Sequence, residues 1–120
     1  MTAKLSYILQ SNTAKEAAMK MEQDNSSALI VLDSNEKPVG VVTHRDLVRS
    51  SSVEDVPCDR ILVQDIMFTP IVTIDPYSPI ETAADVMKQN NVRHLLVVDT
   101  DRPNEPLGIL GSRDFALYIE

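Results

Sequence analysis

The chain has one cysteine in 120 residues, Cys58. It cannot form an internal disulfide, which fits a reducing cytoplasm, and it reads as a bystander rather than a nucleophile. Aromatic residues make up only 4%, so the core has to be aliphatic. No stretch approaches the ~18 apolar residues that span a bilayer, and no basic-plus-apolar leader opens the sequence. Neither His-Glu-x-x-His nor Cys-x-x-Cys occurs, and the two histidines have no partner at metal-ligand spacing. A Walker-type glycine loop is also missing. Basic residues are few: 11 Lys and Arg against 18 Asp and Glu leave a net charge of −7. That disfavours nucleic acid and anionic membranes as partners. An anionic ligand has to be held by a few placed groups instead of a general basic field. The expectation is a cytoplasmic protein with no catalytic constellation and no metal site.

What the chain does have is a repeat. Residues 69–99 fall on 3–33 at an offset of 66, with nine identities that include Ala17/Ala83, Met21/Met87, Asn25/Asn91, Leu29/Leu95 and Asp33/Asp99. After a two-residue insertion the offset becomes 68, and Pro38/Pro106, Gly40/Gly108, Arg45/Arg113 and Asp46/Asp114 coincide as well. Ordinary composition gives about two or three matches over ~40 positions. Each copy is therefore expected to build the same supersecondary unit. A half of this size is marginal for burying a core alone, so the copies are expected to pack together. The expected division is a first repeat at 1–53, a linker at 54–63 and a second repeat at 64–120.

In the second copy, Ile71–Ile74 is β-branched and stops at Asp75-Pro76, which predicts a strand. Ser78 is expected to cap a helix, with Pro79 in its first position and Glu81 completing a capping box. Ile80, Ala83, Ala84 and Met87 then form one helical face. His94–Val98 is almost wholly apolar, as in a central strand covered on both faces. Leu107–Leu110 predicts a further strand, and Ser112 a cap for a last helix through Arg113–Ile119. The first copy repeats the order: a strand at Leu5–Leu9, a helix capped by Asn12 or Thr13, strands at Ala28–Leu32 and Val39–Val42, and a helix at Thr43–Arg49. Gln64–Met67 reads as one helical turn. The fold class is α+β, with two pseudo-symmetric β-α-β-β-α repeats packed sheet to sheet.

This element order resembles the cystathionine-β-synthase (CBS) domain, together with Gly40-Val41-Val42-Thr43-His44-Arg45-Asp46 and Gly108-Ile109-Leu110-Gly111-Ser112-Arg113-Asp114. Met67-Phe68-Thr69-Pro70-Ile71-Val72 is similar to that family's opening segment. Two copies form a CBS pair, or Bateman module, and the resemblance covers essentially the whole chain. It implies a regulatory module that binds an adenosine-containing ligand such as AMP, ADP, ATP or S-adenosylmethionine. It also implies a homodimer and an unidentified target protein. The alternative is a protein-interaction or oligomerisation module whose clefts hold no ligand.

The heptad has its own chemistry. Gly40 is expected to leave room for a ligand to approach the backbone. Thr43 lies where a strand runs into a helix, so its hydroxyl and the first free amides can face a phosphate. Asp46, one turn on, can accept both hydroxyls of a ribose, and Arg45 has the fork that matches anionic oxygens. Equally, Thr43 and Asp46 can cap a helix with Gly40 serving a turn. The resemblance adds Arg93 and His94 as phosphate contacts, and Thr69, Pro70 and Ile71 as a wall for adenine. In copy one, Ser27 and Ala28 stand where copy two has Arg93 and His94. In copy two, Gly111 replaces the heptad's Thr and Ser112 follows one place late. Asp114 is retained, and Ser112 or Arg113 can compensate for the missing hydroxyl.

Overall fold

The computed structural model describes residues 5–53, 57, 59–102 and 105–111, with backbone alone at 51–53. Ser6–Pro70 forms one compact unit, and Leu5 with the described residues from Ile71 onward forms the other. The first unit runs β1 (Tyr7–Leu9), α1 (Ala14–Asp24), β2 (Ala28–Leu32), β3 (Pro38–Thr43), α2 (His44–Val53) and α3 (Val63–Ile66). The second runs β4 (Thr73–Ile74), α4 (Ile80–Asn90), β5 (His94–Val97) and β6 (Gly108–Gly111). Each unit has a three-stranded sheet, β1-β2-β3 and β4-β5-β6, which is the expected α+β repeat.

The sequence repeat is also a repeat of register. Tyr7 and Leu9 face Ile30 and Leu32 in parallel, and Thr73 and Ile74 face Leu96 and Val97. Ala28 pairs with Thr43 and Val31 with Gly40; in the second sheet His94 pairs with Gly111 and Val97 with Gly108. The same offsets of 66 and 68 therefore relate strand pairs as well as letters. Asn25 and Asn91 end α1 and α4 in the left-handed conformation, at φ 51° and 53°. Asparagine tolerates that conformation better than most residues.

Small residues let the helices lie close to their sheets. Ala14, Ala17 and Met21 of α1 meet Ile8, Leu29, Val31 and Val42 in the first core, joined by Leu47, Ile61 and Val63. Ala83 and Met87 of α4 meet Leu95, with Ile74 and Leu110 packed around them. Leu95, Leu96, Val97 and Val98 are all buried, so both faces of β5 are covered as the apolar run predicts.

Several boundaries move. The expected strand Ile71–Ile74 shortens to Thr73–Ile74, although Val72 O still accepts from Leu96 N at 2.9 Å. In copy one the ladder continues through Gln10 N to Leu32 O. The matching residue is Pro76, which has no N–H to donate, so β4 stops one residue short of its counterpart β1. The capping box at Ser78 and Glu81 is not formed. Pro79 is the N-cap of α4 and makes no side-chain bond. Asp75 holds the preceding turn through Tyr77 N (2.8 Å) and Ser78 N (3.1 Å), so the helix starts after Pro79. The box forms in α1 instead, where Thr13 and Glu16 bond reciprocally. The Thr13 amide, then the Asn12 and Thr13 side chains, hold the Glu16 carboxyl below its ordinary pKa. Helix α2 runs past Arg49 to Val53 because no proline or glycine stops it. The expected last helix, Arg113–Ile119, lies outside the described residues.

Residues 61–68 are tied to the first unit. Ala14 N donates to Ile61 O (2.7 Å), Val63 N to Asn12 O (2.8 Å) and Gln64 N to Gln10 O (3.1 Å). Phe68 then bridges Val41 on β3.

The turn between β2 and β3 holds one strained residue. Glu36 has φ 62°, a region that costs an L-residue about 1–2 kcal/mol. Glu36→Gly is expected to raise stability by roughly 0.5–1 kcal/mol after glycine's own entropy cost. Thermal unfolding of the variant beside the parent checks this, and a lower midpoint would contradict it.

Candidate functional site

The heptad's residues come from the end of β3 and the first turn of α2. Gly40 is buried, Thr43 and Asp46 are half-buried, and His44 and Arg45 are exposed. Thr43 donates twice to Asp46 Oδ2, from its amide and from its hydroxyl, both at 2.8 Å. Asp46 N donates back to Thr43 Oγ1 at 3.3 Å. This reciprocal arrangement caps α2. Both Thr43 bonds go to Oδ2, and neither uses Oδ1. His44 N donates to Ser27 O at 2.9 Å, which brings the start of β2 beside the helix start.

The opening segment of the second copy lies against this same strand. Phe68 N donates to Val41 O (2.7 Å) and Val41 N to Phe68 O (3.1 Å). Thr69 and Pro70 follow, both exposed and joined by a cis peptide. Gly40, Thr43, Arg45, Asp46, Thr69 and Pro70 thus share the unit Ser6–Pro70.

The other candidates lie in the second unit. Ile71 is half-buried, Arg93 is exposed, and half-buried His94 opens β5 opposite Gly111. Arg93 and His94 therefore stand beside copy two's heptad, as Ser27 and Ala28 stand beside copy one's. Ser112, Arg113 and Asp114 lie outside the described residues, and so does Cys58.

The space over Gly40 is occupied by protein. A Cβ there would lie 2.7 Å from Met67 Sδ and 3.0 Å from the Phe68 carbonyl oxygen. In the sequence, Met67 belongs only to a helical turn and to the opening motif. Nothing in its spacing from Gly40 marks the contact. A groove of about 410 Å³ lies elsewhere, between Tyr7 and Leu9 of β1 and Met19 and Gln23 of α1. Among the described residues there is no group of three or more His, Cys, Asp or Glu that could hold a metal ion. None of their helices is long and apolar enough to cross a membrane.

Two α+β units of matching strand order and register, the first with Gly-x-x-Thr-x-x-Asp running from its third strand into a helix, define a class of module. The CBS domain model matches residues 1–53 and 63–120, and the chain belongs to the CBS domain family. It is 33% identical over 113 residues to an uncharacterized 17.7 kDa protein of Acidianus ambivalens, a match covering 92% of this chain and 65% of that protein. The chain spans 54% and 45% of the length of two further relatives, from Methanopyrus kandleri and Methanocaldococcus jannaschii. A hexameric CBS-CP12 protein from bloom-forming cyanobacteria superposes with a TM-score of 0.81 at 26% identity, over 97% of this chain and 66% of that one. A CBS domain protein from Pyrobaculum aerophilum, complexed with AMP, gives 0.75 at 23% identity over 96% and 86%. CBS domain proteins are commonly regulatory.

Proposed function

We propose that this chain is a regulatory module that binds an adenosine-containing ligand and signals its presence to a partner protein by a change of conformation. Its repeats are 1–53 and 64–120. The ligand class is AMP, ADP, ATP or S-adenosylmethionine. The observation that supports the reading most is the gathering of Thr43, Asp46, Thr69 and Pro70 in one unit, with Asp46 Oδ1 outside both Thr43 bonds. Asp46 takes the ribose hydroxyls, and Thr43 and Arg45 meet the phosphate. Thr69, Pro70 and Ile71 flank the adenine. Arg93, His94, Ser112, Arg113 and Asp114 serve the second copy. The AMP complex of the Pyrobaculum aerophilum protein makes AMP the first ligand to try. Ligand binding shifts conformation only if its affinity differs between the two states. Calorimetric titration with the four ligands tests the reading, and no heat or saturation with any of them overturns it.

A second reading is an interaction or oligomerisation module without ligand. It is favoured by the Thr43–Asp46 cap, which uses the Thr43 hydroxyl both as donor and as acceptor. A saturable response to the titration favours the ligand reading, and its absence favours this one.

We also infer a cytoplasmic homodimer. Met19 and Val48 are 60% and 53% exposed on α1 and α2, and these helices pack side by side. Sedimentation at tens of micromolar is expected to give the dimer mass; a clean monomer contradicts it.

A further inference from the structure

Met67 sits where the two halves of the candidate site meet. A Cβ placed on Gly40 would be 2.7 Å from its Sδ and 3.1 Å from its Cγ. The thioether is thus seated in the notch that the glycine leaves in β3. Three other contacts fix the same stretch. Met67 N donates to Val63 O at 2.9 Å and closes α3. Its side chain packs on the first core. The next residue, Phe68, exchanges both backbone bonds with Val41. Thr69 and Pro70 come immediately after, while Gly40 precedes Thr43 by three residues on β3.

We propose that Met67 is a positioning residue for the ligand site: its thioether in the Gly40 notch holds Phe68 on β3 and so sets Thr69 and Pro70 beside Thr43 and Asp46. This rests on the nucleotide reading above. An unbranched, flexible thioether suits a shallow notch in bare backbone. Any side chain on residue 40 evicts the sulfur and presses on the Phe68 carbonyl. Shortening residue 67 empties the notch and removes that hold on the segment 68–70.

The test is a double-mutant cycle on Gly40→Ala and Met67→Ala, with Met67→Leu as the conservative variant. Each alanine variant, kept well below its unfolding midpoint, is expected to bind AMP about tenfold more weakly. The double variant is expected to lose no more than either single. Independent effects would multiply to about a hundredfold. Met67→Leu, close in volume, keeps affinity within about threefold. Amide exchange at Val41 and Phe68 gives a readout that does not need a ligand. Protection falls in both single variants and returns in part in the double. Singles that are folded and bind AMP like the parent overturn the proposal, and so does a multiplied loss in the double. If Gly40→Ala does not fold, Met67→Ala against Met67→Leu decides. If the parent binds none of the four adenosine ligands, the functional reading fails. The positioning claim then stands or falls on exchange alone: unchanged protection in Met67→Ala overturns it.

Discussion

An Asp46→Ala variant is expected to bind adenosine ligands about 10- to 150-fold more weakly than the parent. The change removes the acceptor for the ribose hydroxyls, and a hydrogen bond to a charged group is worth about 1.5–3 kcal/mol. It also removes the partner of Thr43 in the α2 cap, which costs stability by roughly 0.5–2 kcal/mol. The two effects separate in measurement. Calorimetry at a temperature where circular dichroism shows the variant folded reports the affinity, and thermal unfolding reports the cap. Asp46→Asn keeps an oxygen for Thr43 while losing the charge, so it restores more of the cap than of the binding. Unchanged affinity in folded Asp46→Ala for every ligand that binds the parent would sink the assignment.

The two copies are expected to bind unequally, by about 10- to 150-fold, with the Thr43/Asp46 site the tighter. Gly111 pairs with His94 at the register position where Thr43 pairs with Ala28. The second copy therefore lacks a hydroxyl at the equivalent strand end, and a lost bond to a charged phosphate is worth about 1.5–3 kcal/mol. Arg93 and His94, present only in copy two, act in the opposite sense, so removing Arg93 widens the gap. Gly111→Thr is expected to strengthen the second site and leave the first untouched. A structure at limiting ligand is expected to show the Asp46 site filled. The Asp114 site filled with the Asp46 site empty would refute the ranking.

The fold was legible because the repeat carries packing information. Ala17/Ala83, Met21/Met87 and Leu29/Leu95 coincide in sequence, and each pair is buried at the same place in its unit. The insertion that shifts the offset from 66 to 68 falls in the turn between paired strands, so the ladders on either side are preserved. Boundaries were less legible. Pro79 fits the first position of a helix by its fixed φ, yet it caps α4 because the Asp75 turn ends at Ser78. Thr13 and Glu16 carry the capping-box spacing and form it, while Ser78 and Glu81 carry it and do not. The same short motif is resolved only by the turn before it.

The candidate site was legible as a set of residue types but not as a set of neighbours. Thr43 and Asp46 are three apart, and their mutual bonds follow from the start of a helix. The pairing of Phe68 with Val41 joins residues far apart in sequence, and local pattern holds no information on it. The seat of Met67 over Gly40 is of the same kind. A glycine in a strand signals a close approach without naming what approaches.

The most direct test of the ligand site is a titration of the isotopically labelled chain with AMP, followed at each backbone amide. Saturable shifts are expected at Thr43, Asp46 and Thr69, at lower ligand concentration than any change at Arg93, His94 or Gly111. No saturable shift at Thr43 and Asp46, or shifts confined to residues 93–111, would contradict this expectation.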